Sequence, residues 1–442
     1  MSREMKESGV NWINEIPMDW SVNRIKFIFT NGKGLPITKD NLVDEGLSVV
    51  SYGQIHSKSN TGVDIKPDLI RYVNNEYKKY YPQCEVFEGD FIFADTSEDY
   101  EGCGNCVYKR DNNELYAGYH SIILHSINSL DNRYYAYLFK TDAWRKQLRE
   151  IASGVKLFSI SQKNLMNASV IIPHVSEQCC IANFLDSKCS QIDEISKKIQ
   201  EEIDTLEEYK KSVITEAVTK GLDPSVEMKD SGIEWVGETP ITWAVQPIKY
   251  LFNILSGSTP DSSVPGYWDG ECIWITPADF KTSDYIVISG HRNITQQGVK
   301  SCSTTKIPKG SIIFSKRAPI GSVAINDVEL YTNQGCLSCV PKQGNVSKYY
   351  YYVMSVLEDV FNLFGSGTTF KEISATSFGN VLLPHPEVTE QKEIVRHLDA
   401  KCLQIDSIVR AKQQQLSTLE EYKKSLIYEY VTGKKEVPDA NA

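Results

Sequence analysis

Apolar residues recur every seven positions through two stretches of this chain. Leu185, Ile192, Ile199, Leu206 and Val213 form one such column. Leu398, Ile405, Leu419 and Leu426 form the other, with Lys412 breaking the series. This spacing lays an apolar stripe along one face of a helix and marks a coiled-coil seam. At about 1.5 Å per residue each helix is on the order of 60 Å long. Gly221 and Gly433 supply the stops. Heptad stripes seldom stay bare in a soluble chain. The two helices are therefore expected to pair antiparallel, with these nine residues at the contact.

Between them the period changes. Short apolar runs such as VFEGDFIFAD, SIILHSI, ECIWITP and SIIFSK fall within roughly Asn31 to Ala152 and Leu255 to Gly365, stretches rich in Tyr, Val, Ile, Gly and Pro. Each reads as a strand-rich domain with a few helices.

Self-similarity decides how these pieces are arranged. The segment Ser8 to Phe29 returns at Ser231 to Phe252, with Trp12/Trp235, Pro17/Pro240, Trp20/Trp243 and Lys26/Lys249 in register. SGVKLFSIS, beginning at Ser153, returns as SGTTFKEIS at Ser366. Both copies continue through a Pro-His pair (Pro173-His174, Pro384-His385) and Glu-Gln into the helix, which repeats the string TLEEYKKS. Even the variable parts share marks, EGDFIF at Glu88 answering KGSIIF at Lys309. The expected fold class is α+β: two pseudo-symmetric strand-rich domains at 1–175 and 223–388, separated by two long antiparallel coiled-coil helices at 176–222 and 389–435.

A chain of 442 residues with 41% hydrophobic and 24% charged residues fits more than one core. The start has no apolar leader, and no run is long and apolar enough to cross a bilayer, so a cytoplasmic location is expected. Eleven scattered cysteines, odd in number and mostly in apolar surroundings, suit a reducing compartment. The formal net charge of −10 is not the footprint of a free-standing nucleic-acid binder. Either a locally basic surface or a partner's phosphate contacts would have to compensate.

The paired leading segments, the GSTP…YWDGECIWITPADF and KGSIIFSKRAPIGSVAI…YTNQGC runs, and the EQ…LD.KC.QID…TLEEYKKS helices together resemble the specificity subunit of Type I restriction-modification systems. The resemblance covers almost the whole chain. It implies two target-recognition domains, each reading one half of a split, asymmetric duplex DNA site, with the helices setting the gap. It further implies docking of two methyltransferase subunits and recruitment of a motor-nuclease restriction subunit. S-adenosylmethionine, ATP and Mg are then cofactors of those partners, and none belongs to this chain. The first domain departs from the pattern: Tyr52-Gly53-Gln54 stands where the second has Thr276-Pro277-Ala278-Asp279, and ADTSEDYEG replaces SKRAPIG.

Base readout needs paired donors and acceptors, Arg or Lys for guanine and Asn or Gln for adenine. In the second domain the candidates are Ser315, Lys316 and Arg317 after an apolar strand, Asn333 and Gln334 at the end of another, and Thr276 and Asp279 beyond the strand CIWI. In the first domain they are Tyr52, Gln54, His120, Lys109 and Arg110. Lys156 and Lys371, just ahead of the helices, are candidates to grip phosphates. The tyrosine-rich runs KKYYPQ, RYYAYLF and KYYYYVM read as rings half-buried against the frame with wet hydroxyls, rather than as base-stacking platforms.

Chemistry of the chain's own finds little support. The glycine-rich loop and the Asn/Asp-Pro-Pro-Tyr/Phe strip of an adenine methyltransferase do not occur in the sequence. Pro67-Asp68 with Glu76-Tyr77-Lys78 satisfies a loose nuclease pattern, but Glu208-Tyr209-Lys210 repeats half of it on an obvious helix. Two Cys-x-x-Cys pairs, Cys103/Cys106 and Cys336/Cys339, sit in different halves, and no metal site is expected. The contrasting reading is a coiled-coil protein adaptor whose acidic surface never meets nucleic acid.

Overall fold

The computed structural model describes residues 3–127, 130–154, 156–280, 286–317, 319–366 and 371–438. The chain forms two compact units, the first of Met1–Gln200 with Gln414–Ala442 and the second of Glu201–Gln413. The central helix, Val175–Lys220, and the C-terminal helix, Val388–Val431, each contribute residues to both units.

In the first unit a four-stranded antiparallel sheet runs in the order Cys106–Tyr108, Phe91–Ala94, Ser121–Ser126 and Phe29–Lys33. The run FIFA reads apolar throughout because both faces of its strand are covered. Phe91 and Phe93 enter the large core beneath the helices, whereas Ile92 and Ala94 enter a second cluster with Val50, Ile55 and Leu115. A second sheet, in the order Tyr116–Ala117, Leu47–Val50, Arg71–Val73 and Leu42–Val43, pairs its first two strands in parallel.

The second unit repeats this plan with a five-stranded sheet containing Phe252–Ser256, Cys336–Pro341, Ile312–Lys316 and Ile320–Asn326. Alternation again splits the strand: Ile312 and Phe314 join the core beneath the helices, and Ile313 joins a separate cluster. Trp274–Ile275 and Tyr331–Thr332 form the matching parallel pair.

The helices pair antiparallel within each unit. In the first, Phe184 packs on Tyr430 with ring centroids 4.4 Å apart, and Asp193 pairs with Lys423 at 2.6 Å. In the second, Glu202 pairs with Lys412, and Lys210 with Asp406 at 2.6 Å. Leu185, Ile192, Leu398, Ile405 and Leu426 are buried in the seam, and Ile199, Leu206, Val213 and Leu419 are half-buried there. A second column completes the heptad pattern: Cys189, Ser196, Ile203, Lys210 and Ala217 on one helix, and Cys402, Val409, Leu416, Lys423 and Tyr430 on the other. Polar residues in that column hide it from a search for apolar spacing. Gly221 and Gly433 close the helices at φ +74° and +69°, where a side chain would be strained.

The repeat extends to individual hydrogen bonds. Trp20 Nε1 donates to Glu177 at 2.7 Å, and Trp243 Nε1 to Glu390 at 2.9 Å. The Tyr134 hydroxyl donates to the carbonyl of Val431 and the Tyr349 hydroxyl to that of Val218. Tyr137 and Tyr352 donate to Asp186 and Asp399. Here the expectation of wet hydroxyls is corrected for the runs RYYAYLF and KYYYYVM, while Tyr80 in KKYYPQ is exposed. Tyr134, Tyr135, Tyr349 and Tyr350 are fully buried, because the paired tyrosines are the pegs that fix each sheet to the helices.

Candidate nucleic-acid interface

In each unit a strand end and two loops meet in the same way. The Asp95 N–H donates to the His120 carbonyl at 3.1 Å, and the Asp95 carbonyl accepts from Ile160 at 2.8 Å. In the second unit the Lys316 N–H donates to the Gly335 carbonyl at 3.0 Å, and its carbonyl accepts from Ile373 at 3.1 Å. Gly34 and Gly257 allow the loops to close, since a Cβ would lie 1.8 Å from the Gly118 carbonyl oxygen in one case and 2.2 Å from that of Asn333 in the other. The backbone thus holds Asp95 and Lys316, and likewise His120 and Gly335, at corresponding places.

The first unit gathers Tyr52, Tyr119 and His120 there. The Tyr52 ring lies 5.4 Å from the rings of both Tyr119 and His120. His120 adopts φ +53°, a strained conformation for any residue with a side chain. Gln54 lies beside this group, but its Oε1 caps the short helix Tyr52–Ile55 by accepting from the Ser51 N–H. A cleft of about 650 Å³ opens here, lined by Lys33, Asp95, Tyr119, His120, Gln162 and Lys163 among others. Of these, only His120 was anticipated from sequence. The cleft is assembled from four separate segments, and the one local signal is the GKG around Lys33. Lys156 is exposed nearby in sequence, between the loop and the helix.

Lys109 and Arg110 lie elsewhere. Lys109 is 2% exposed and paired with Asp111. Arg110 is held by Asp64 at 2.8 Å and Asp186 at 3.0 Å, and these bonds raise its pKa against the opposing effect of burial. The two cations belong to the frame that carries the central helix, so their expected place on a binding surface is corrected. Asp186 in turn is drawn below the usual carboxylate range: burial pushes upward, but the bonds from Arg110 and Tyr137 outweigh it.

In the second unit several candidates also prove structural. Ser315 is buried, its hydroxyl donating to the carbonyls of Arg317 and Pro319. Asp279 is buried and accepts from the Thr276 N–H and hydroxyl and from the His291 N–H and ring. These bonds overcome the upward push of burial and lower its pKa. Thr276 and Asp279 therefore form a capping box. Lys316, its side chain only 16% exposed, and half-buried Arg317 pair with Glu372 at 2.7 and 3.6 Å. Asn333 accepts from the Gly335 N–H at 2.9 Å; exposed Gln334 bonds Thr259, and Lys371 is exposed.

The cysteine pairs are parts of cores. Cys336 and Cys339 enter different clusters on the two faces of one sheet. Cys103 and Cys106 are buried, and desolvation pushes the Cys106 thiol up to about 11. No helix among the described residues is long and apolar enough to cross a membrane.

One hydrogen-bonded frame, repeated with different side chains where its strand end and loops meet, defines a duplicated protein. The family described as Type I restriction modification DNA specificity domain matches residues 17–205 and 240–418, and the chain belongs to this family of specificity subunits. This membership does not favour the coiled-coil adaptor. The MjaIX specificity subunit of Methanocaldococcus jannaschii is 38% identical over 188 residues, 42% of this chain and 43% of that protein. The putative MjaX specificity subunit of the same organism is 25% identical across 96% of this chain and 95% of its own length. A chain solved in work on assembly and conformational transition of the type I R-M system shares the fold at a TM-score of 0.71, with 18% identity over 95% of this chain and 99% of that one.

Proposed function

We propose that each unit reads one half of a bipartite duplex DNA target, that the paired helices set the gap, and that the chain performs no catalysis itself. The observation that carries this reading is the exchange of side chains on an unchanged frame. Hydrogen-bonded backbone positions match between the units, while Asp95 becomes Lys316, His120 becomes Gly335 and Tyr52 becomes Pro277. A frame kept for folding with the residues at its loop junctions replaced is what two readers of different half-sites require.

In this reading two methyltransferase subunits dock on the chain and a motor-nuclease subunit joins them, bringing S-adenosylmethionine, ATP and Mg. Docking of two like partners is supported by exposed apolar residues that the repeat retains: Phe27 and Tyr250 (56% and 62% exposed), Ile195 and Ile408, and Tyr209 and Tyr422. Buried residues persist through a duplication because they stabilise the fold. Exposed apolar ones have no such reason, and a partner bound twice supplies one.

The test uses the chain assembled with its methyltransferase partner on duplexes with base pairs inserted between the half-sites. Methylation should fall at least tenfold on adding about half a helical turn, since rigid two-headed readers depend on phase. Indifference to the gap would overturn the reading.

A further inference from the structure

The cleft of the first unit contains a carboxylate where a surface meeting phosphates has reason to exclude one. Asp95 shares the lining of the cleft with Lys33 and Lys163, both exposed. Its side chain is 34% exposed. Its Oδ1 accepts from the Thr96 hydroxyl at 2.8 Å and faces His120 Nδ1 at 3.2 Å. Among the described residues no hydrogen bond falls on Oδ2, which leaves one acceptor held in a fixed place.

The surroundings keep it there. The Asp95 backbone is bonded on both sides, to His120 and Ile160. His120 takes its strained backbone conformation at a position where the second unit has glycine, and so brings an imidazole against the carboxylate and the rings of Tyr52 and Tyr119. The second unit puts the ammonium of Lys316 at the corresponding frame position. That ammonium is paired with Glu372 at 2.7 Å, whereas Asp95 has no cation paired with its Oδ2 among the described residues.

We infer that Asp95 is a base-specificity residue of the first unit, accepting the exocyclic amino group of a cytosine in the major groove, with Lys33 and Lys163 on the flanking phosphates. The inference rests on the DNA-reading role proposed above. Cytosine is the fit because its major-groove edge presents an amino donor alone, which an acceptor-only carboxylate satisfies. Adenine sets its N7 acceptor beside the amino group and favours the donor-plus-acceptor amide of Asn or Gln. The local repulsion between carboxylate and phosphate is offset by the two lysines, which carry no sequence information themselves.

The experiment is to treat genomic DNA with the complex of this chain and its methyltransferase partner, and to read the methylated motif by sequencing. The half-site belonging to the first unit is assigned by exchanging residues 31–152 for those of a relative. Asp95→Asn preserves an acceptor for Thr96 and His120 while adding a donor. It should extend one cytosine position of that half-site to adenine, with at least a tenfold change in relative rate, and leave the other half-site unaltered. Lys33→Ala with Lys163→Ala should weaken binding on all sequences alike and lower the salt slope by roughly two, about one per phosphate contact. The assignment is overturned if Asp95→Asn leaves the motif unchanged, if the relaxed position is not cytosine, or if an assembled Asp95→Asn complex loses methylation altogether. A wild-type complex with no bipartite motif would instead overturn the underlying DNA-reading role.

Discussion

Asp186 shows how a charged residue can resemble a functional one while holding the fold together. It receives both arms of Arg110 at 3.0 Å, Arg133 at 3.1 Å and the Tyr137 hydroxyl at 2.8 Å. Asp186→Asn turns part of this acceptor into a donor facing two guanidinium groups. The variant should lose roughly 2 kcal/mol of stability, as for a hydrogen bond to a charged group broken where water enters poorly. Asp399→Asn in the second unit should lose less, since among the described residues only Lys348 and Tyr352 meet that carboxylate. The folded pKa of Asp186 is depressed, so its stabilisation is complete above the unfolded value of about 3.9 and is lost as pH falls through the folded value. Urea midpoints at pH 7 and near pH 3 check both statements: the gap between wild type and variant should narrow in acid. The sequence shows that Lys109 and Arg110 are cations beside a strand but not that Asp64, Asp111 and Asp186 neutralise them. Two of these three partners are distant in the chain, and short-range pattern carries no information about them. The capping box of Thr276 and Asp279 was written in the sequence, three residues apart ahead of a short turn, yet it reads equally well as a pair of exposed polar side chains.

At the level of elements, the helices were legible because one column of each seam is apolar, interrupted in the second helix by Lys412 alone. Ser196 and Lys210, and Lys423 in the second helix, obscure the other column, although the chain folds with it in the seam. The two lysines occupy matching heptad positions, and each reaches a matching aspartate, Asp406 or Asp193. A polar residue in a seam lowers stability but penalises shifted registers, in which it loses its partner. Lys210→Leu combined with Lys423→Leu should therefore raise the thermal midpoint, because both aspartates remain partly exposed and tolerate losing a partner. The same variant should methylate targets over a wider range of gaps. A higher midpoint with an unchanged gap preference would show that packing alone fixes the register. The strand-rich parts were less legible than the helices. Runs such as FIFA and SIIFS, buried on both faces, announce strands without revealing their neighbours, and the cleft forms only where those neighbours meet.

For the whole molecule, duplication brings the two ends of the chain into one unit. Arg3 near the start lies 3.9 Å from Glu436 and also pairs with Glu177 and Asp19. A Cβ at Gly433 would lie 2.4 Å from Pro17, and 3.0 Å from Trp20. The corresponding place in the second unit is chain-continuous: Gly221 lies against Trp243 and Glu390, and an exposed stretch including Leu222 and Asp223 leads onward to the repeated strand segment. What is one covalent passage in the second unit is a contact between termini in the first. Joining Ala442 to Met1 through a short flexible linker and opening the chain between Leu222 and Ser225 should therefore exchange these two situations without altering either core. The exposed new ends leave buried backbone undisturbed. The permuted chain should assemble with the methyltransferase partner proposed above and methylate the same motif, with a thermal midpoint within a few degrees of the parent. The net charge of −10 adds a second readout: without its partner, either chain should bind duplex DNA weakly, and the affinity gained on adding the partner should be equally sensitive to salt in both. A permuted protein that folds to the parental midpoint but methylates a different gap would show that the passage after Gly221 positions the helices, a role that the terminal contact could not then be filling in the natural chain.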